Sequence, residues 1–336
     1  MNILLIGGTG TISAAVLRRA TALGYNVSIL NRGLRRPTVP IPAATEILHG
    51  DINDEAATRA LLGDRRWDVV CQFIAYTPDQ VERDIRLFGG RCDQYVFISS
   101  ASAYRKPLLD PVITESTPLG NPYWQYSRDK QACEESLQRA HRDRSFPITI
   151  VRPSHTYSER SIPTPLHGRI GSWQVMARML AGKPVIVHGD GQSLWTFTWA
   201  DDFAVGFVGL LGNPRAIGEA YHITSDERIS WNQALLAIGA ALGVAPVLCH
   251  VSSDMLIRLR PDLEGPLLGD KAVSVLFDNS KIKRAVPAFR ADMRFDQGVR
   301  RCWSYIAAHP ELQPADPEFD AWCDLVVAAV ERFGAD

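Results

Sequence analysis

Apolar positions come in short blocks through the first half of the chain. The runs Ile3–Ile6, Val27–Leu30, Val69–Phe73, Tyr95–Ile98 and Ile148–Val151 are too uniformly apolar for strands with one wet face, and amphipathic segments separate most of them. This pattern predicts an α/β fold, a doubly wound parallel sheet of Rossmann type with helices on both faces. After Pro153 the character changes. A proline-rich stretch, Ser161–Leu166, leads into smaller helices and short strands such as Pro184–His188 and Ala220–Thr224. The expected division is a sheet domain over residues 1–155 and a smaller α/β lobe over 156–336, with a discontinuous boundary where parts of the chain return to the sheet. The segment Arg32–Pro42, rich in arginine and proline, reads as a surface loop.

The first run feeds Gly7-Gly8-Thr9-Gly10-Thr11-Ile12-Ser13, which opens the amphipathic stretch Ala14–Leu23. A strand, a glycine turn and a helix N-terminus hold a dinucleotide pyrophosphate: the glycines admit close backbone approach, and the helix end offers N–H donors and a positive dipole. Gly7, Thr9, Gly10, Thr11 and Ile12 are therefore cofactor-binding candidates. The third glycine position of the fingerprint is Ser13, small enough to keep helix and strand fairly close.

A second constellation lies in Asn121-Pro122-Tyr123-Trp124-Gln125-Tyr126-Ser127-Arg128-Asp129-Lys130, which reads as entering a helix that continues through Gln131–Arg139. Residues four apart share a helix face, so the Lys130 ammonium is expected below the Tyr126 hydroxyl, favouring its phenolate. Tyr95–Ile98 reads as a buried strand ending in Ser99-Ser100-Ala101-Ser102. Hydroxyls at the carboxyl end of such a strand face the ligand cleft.

Composition narrows the partners. The chain has 336 residues with 46% hydrophobic and 22% charged, a net charge of −1 and a pI near 6.7. Neither nucleic acid nor an anionic membrane is globally attracted to such a surface. No run approaches the ~18 apolar residues of a membrane span, and the chain enters its first strand without a basic leader, so a cytoplasmic protein is expected. Cys71, Cys92, Cys133, Cys249, Cys302 and Cys323 lack metal-ligand spacing and read as reduced thiols, with no structural metal indicated.

The order of glycine turn, serine-ended strand and Tyr-x-x-x-Lys helix resembles the extended short-chain dehydrogenase/reductase family, the NAD(P)-dependent sugar epimerases and dehydratases. The resemblance covers essentially the whole chain. It continues in Gly50-Asp51-Ile52, Glu134, Arg152-Pro153 and His188-Gly189-Asp190-Gly191 leading to Asp202. It implies Tyr126 as acid/base, Lys130 as its electrostatic partner and ribose ligand, and Ser100 as the hydroxyl aligning the substrate oxygen. Ser100 is chosen over its neighbours because it stands four residues before Tyr104. The resemblance also implies Asp51, Ile52, Ala75 and Pro153 at the cofactor, Tyr76 and Ser102 at the substrate, and a homodimer.

The chain departs from the family at several points. Ala101 and Ser102 stand where 4,6-dehydratases carry an acid and a base, which disfavours water elimination. Trp195 replaces the arginine that grips the diphosphate in nucleotide-sugar members, so it either stacks on a substrate or belongs to the core. His155 stands for the usual asparagine near the substrate, as a hydrogen-bonding group, a second acid/base or a structural residue. His188 and His250 read as structural. At the end of the second strand, Asn31 and Arg32, followed by Arg35 and Arg36, form a basic cluster without an acid, which leans toward NADP over NAD.

The expected activity is epimerase-type oxidoreduction at a hydroxyl of a nucleotide-linked or nucleoside sugar. The alternatives are an NADPH-dependent ketoreductase or dehydrogenase and, from a different class, a non-catalytic dinucleotide-sensing or RNA-associated scaffold.

Overall fold

A computed structural model describes residues 1–34, 37 and 39–333. Arg35 and Arg36, part of the basic cluster read from the sequence, lie outside these described residues. Seven parallel strands form one sheet. In chain order they are β1 (Asn2–Ile6), β2 (Asn26–Asn31), β3 (Glu46–His49), β4 (Trp67–Gln72), β5 (Cys92–Ile98), then Ile148–Pro153 and Ala220–Ile223. In space the order is Ala220–Ile223, Ile148–Pro153, β5, β4, β1, β2, β3. The direction of winding reverses between β1 and β4, the crevice where open α/β sheets take ligands.

The uniformly apolar runs are buried because both faces of the sheet are covered. Helix α1 (Thr11–Ala22) and helix Ala200–Leu210 cover one face: Ala15, Val16 and Leu17 pack with Phe203, Phe207 and the sheet side chains Ile3, Leu5 and Val69. Three helices, α2 (Glu55–Leu62), α3 (Pro78–Phe88) and α4 (Gln125–Arg144), cover the other: Leu62, Val81, Ile85, Phe88, Cys133 and Leu137 meet Leu4, Ile6, Val70 and Phe97. Each fully buried aliphatic or aromatic side chain contributes roughly 1.5–3 kcal/mol. Strand β3 carries no apolar run. It is an edge strand with Leu48 alone pointing inward, a pattern too sparse to stand out in the sequence.

A second apolar core gathers Tyr157, Met176, Val187, Trp195, Phe197, Trp231, Leu256, Phe277, Phe295 and Val326. Short two-stranded ladders frame it, including Val185–His188 with Leu248–Val251 and Val112–Ile113 with Leu276–Phe277. The chain crosses between the two cores several times: helix Ala200–Leu210 and strand Ala220–Ile223 belong to the first, and Val112–Ile113 pairs into the second. No helix among the described residues is long and apolar enough to cross a membrane.

Candidate functional site

The glycine turn is tightly specified. Gly7 has φ +92°, and a Cβ there would lie 2.5 Å from Ile74 Cγ2; one on Gly8 would lie 2.9 Å from Ile29 Cγ2. Ser13 does more than fit. Its Oγ accepts from Gly10 N at 2.9 Å and donates to Gly7 O at 3.1 Å, stapling the turn from inside the helix. The first-turn N–H groups of α1, Thr11 and Ile12 among them, have no intrahelical acceptor. A cavity of about 400 Å³ walled by Gly7 and Thr9 of the glycine turn opens at the carboxyl ends of β1, β2 and β4; Gly10, Thr11 and Ile12 are not among its walls.

That cavity is lined by Gly7, Thr9, Asn31, Arg32, Asp51, Ile52 and Tyr76, with Gly50, Asn53 and Gln80 as further walls. Asn31 Oδ1 accepts from Gly33 N at 2.9 Å and shapes the turn after β2. Arg32 Nη1 lies 3.9 Å from Asp51 Oδ2, so the cluster read as free of acids has a carboxylate beside it, supplied from beyond β3. Ala75 is buried behind the wall, its carbonyl held by Lys130. Tyr76, expected at the substrate, lines this first cavity instead. Pro153, expected at the cofactor, lines the second.

The second cavity, about 320 Å³, is lined by Ser100, Ala101, Ser102, Trp124, Tyr126, Pro153, Ser154, His155, Trp195, Asp270 and Lys271. Tyr76 and Tyr126 link the two, their ring centroids 6.4 Å apart. Ser100 Oγ and Ser102 Oγ are 2.8 Å apart, and Ser127 Oγ donates to Ser102 Oγ at 2.8 Å. Ser99 points away into the core, its hydroxyl buried without a partner.

Lys130 is placed differently from the sequence expectation. Its ammonium donates to Ala75 O at 2.8 Å and Ile98 O at 2.7 Å, lies 4.7 Å from the ring centroids of Tyr76 and Phe97, and lies 5.9 Å from that of Tyr126. Burial lowers its pKa to about 8. Burial also pushes the Tyr126 phenol up to about 12, opposed by a hydrogen bond with Ser100. In this arrangement Tyr126 is a neutral phenol, a proton donor held next to a serine hydroxyl, because desolvation outweighs the Ser100 hydrogen bond.

His155 is pushed down to about 3, first by burial and then by the charges of Lys271 and His167. That removes it as an acid/base near neutrality and leaves a neutral imidazole beside the Phe197 ring, centroids 5.3 Å apart. Trp195 is 2% exposed and lies 5.5 Å from the Trp231 ring, yet it lines the cavity; its indole N–H has no partner. The two readings of Trp195 converge on a core residue with one edge in the pocket. Glu134 holds Arg152 through two hydrogen bonds, at 2.9 and 2.6 Å, and Asp202 accepts from Met293 N at 2.9 Å, so both are framework groups. His188 bonds the Lys271 carbonyl, and His250 bonds Asn232.

Sequence reasoning missed Trp124, Ser154, Asp270, Lys271 and the residue that assembles them, Asn121. Asn121 is 2% exposed. Its Nδ2 donates to Ser102 O at 2.7 Å and Gly269 O at 2.6 Å, and its Oδ1 accepts from Tyr123 N at 3.1 Å. One amide thereby joins the serine turn, the start of α4 and the wide turn Leu267–Lys271. Trp124 sits against Gly265, where a Cβ would lie 2.4 Å from the indole. Glycines at 265 and 269 were the available signal, unreadable without knowing what they face.

Residues 3–224 match the model of the NAD dependent epimerase/dehydratase family. Among similar proteins are 2'-dehydrokanamycin reductase of Streptomyces kanamyceticus, 27% identical over 246 residues covering 72% of this chain and 67% of that protein, and the chloroplast stem-loop binding protein of 41 kDa b of Arabidopsis thaliana, 25% identical over 254 residues, 72% and 63%. The chain spans about two thirds of the length of these relatives. The UDP-glucuronic acid 4-epimerase of Bacillus cereus, solved with UDP-glucuronic acid and NAD, shares the fold with a TM-score of 0.72, 18% identity, and coverage of 92% of this chain and 99% of that one. With the family match covering the first cavity and all of the second except Asp270 and Lys271, the chain belongs to the NAD dependent epimerase/dehydratase family.

Proposed function

We propose that the protein moves a hydride between a nicotinamide dinucleotide and a carbinol carbon of a sugar, in an epimerase-type cycle, with Tyr126 as the proton-transferring group. The observation that carries this reading is the pairing of Tyr126 and Ser100 in a cavity adjoining the glycine-turn cleft. The bound dinucleotide supplies hydride transfer. Tyr126 gives its proton to a carbonyl oxygen in the reducing direction and, as the phenolate so formed, takes one from a hydroxyl in the other, while Ser100 aligns that oxygen. Lys130 positions α4 on the strand ends through its two carbonyl bonds and has one N–H left for a ribose hydroxyl.

Asp51 beside Arg32 offsets the charge that would meet a 2′-phosphate, so the dinucleotide is read as NAD. Tighter binding of NADP than NAD in a competition titration overturns that choice. A homodimer of soluble, cytoplasmic subunits belongs to the same reading.

A second reading, a reductase using the same residues once per turnover, is favoured by the similarity to 2'-dehydrokanamycin reductase and by an indole where a diphosphate-gripping arginine is expected. Incubation of the full chain with NAD or NADPH and a panel of nucleotide sugars and ketosugars, followed by sugar NMR and nicotinamide absorbance, separates them. Inverted sugar without net cofactor change is expected; stoichiometric consumption of NADPH selects the reductase. Tyr126→Phe should lower either turnover roughly a hundred- to ten-thousandfold while dinucleotide affinity stays unchanged. Full activity in that variant contradicts the assignment.

A further inference from the structure

One wall of the second cavity carries charges that the reaction scheme leaves unused. Lys271 and Asp270 end the wide turn Leu267–Lys271, and both line the cavity with Tyr126 and Ser100. Lys106, 4% exposed, is the foremost cation acting on Asp270, ahead of Lys271. Neither lysine ammonium makes a hydrogen bond or ion pair among the described residues. Two cations therefore act on one carboxylate, which leaves this wall with net positive charge.

No acid other than Asp270 lines the cavity. The field of the Lys271 ammonium reaches across it, since it helps hold His155 and His167 in their neutral forms. The backbone beneath is fixed: the Lys271 carbonyl accepts from Ser193 Oγ at 2.9 Å and lies 3.0 Å from His188 Nε2. An anchored, partly buried ammonium without a hydrogen bond, its charge only partly offset by an Asp270 shared with Lys106, opens into a cavity otherwise walled mainly by serines, neutral imidazole and indoles and is a binding group for an anion.

We propose that Lys271 is a specificity-determining residue that binds an oxyanion, carboxylate or phosphate, carried by the sugar substrate. This rests on the sugar-directed reading above and goes beyond it by naming the substrate's charge. A sugar acid or a sugar phosphate meets the wall through the same chemistry: a charged acceptor for the Lys271 ammonium, with neutral parts of the ring against Trp195 and Trp124.

The test is calorimetric titration of the full chain, first with NAD and then, saturated with NAD at constant ionic strength, with glucose, glucuronate and glucose 1-phosphate. The wild type should bind at least one anionic sugar about tenfold or more tighter than glucose. Lys271→Gln should abolish that preference without changing NAD affinity, and Lys271→Arg should retain it. The anion that binds tells carboxylate from phosphate. Equal binding of all three sugars, no binding of either anionic sugar, or a preference that survives in Lys271→Gln overturns the inference while leaving the hydride-transfer reading standing. Failure of that first NAD titration in a chain that releases no dinucleotide on denaturation overturns that reading and the inference with it.

Discussion

At the residue scale, burial sets the protonation of both Tyr126 and Lys130. The spacing that places both on one helix face was legible in the sequence. The outcome was not, because desolvation depends on what packs around the pair: Tyr76 and Phe97 close over the lysine, and two carbonyls claim its donors. The same holds at His155, whose ordinary pKa suggested an acid/base until burial and Lys271 made it neutral. Lys130, lowered to about 8, is charged below that pH and loses its charge as the pH rises through it. A single-proton alkaline limb near pH 8 is therefore expected in kcat/KM, displaced upward in Lys130→Arg. A profile flat through about pH 9 contradicts the lysine's role.

At the scale of elements, apolar runs announced five of the seven sheet strands, and the glycine turn announced α1. Strand β3 was hidden by its single inward side chain. Ala220–Ile223 reads as a strand within the smaller lobe, whose boundary is expected to be discontinuous; it pairs with Ile148–Pro153 because a long crossover returns it to the sheet edge. The turn Leu267–Lys271 carries no periodic pattern. Its position is set by Asn121 and by glycines that let Trp124 approach, contacts separated by more than a hundred residues of chain. Gly265→Ala tests this placement. The added methyl must displace the Trp124 indole, and a loss of about 1–3 kcal/mol is expected, with substrate affinity falling more than NAD affinity. Unchanged stability in urea titrations would show that the turn does not depend on this contact.

At the scale of the whole molecule, the two cores place the two cavities side by side at the carboxyl ends of the sheet. The scattered cysteines, read as reduced thiols, are free, and five of the six are buried. Burial raises the pKa of Cys92, Cys133, Cys302 and Cys323 to about 12, and that of Cys71 well above its usual value. A raised folded-state pKa contributes stability that is complete below the unfolded value near 9 and is lost as the pH rises toward 12. Each such thiol costs roughly 1.4 kcal/mol per pH unit in that window. Lys130, between about 8 and its usual 10.5, and Lys106 and Lys271, also lowered by burial, act in the opposite sense, three groups against five. Unfolding midpoints should therefore fall steeply between pH 9 and about 11; a constant midpoint there would mean that the thiols are not buried as described.

The central claim is that the glycine-turn cleft holds a nicotinamide dinucleotide against Tyr126. The most direct measurement is to denature the purified protein and identify any released dinucleotide by mass, then titrate the emptied, refolded chain with NAD while exciting tyrosine and tryptophan fluorescence. The account predicts NAD, either recovered at near one equivalent or rebound with quenching that is diminished in Gly7→Val, where the side chain would collide with Ile74. Neither recovery nor rebinding of a dinucleotide would contradict it.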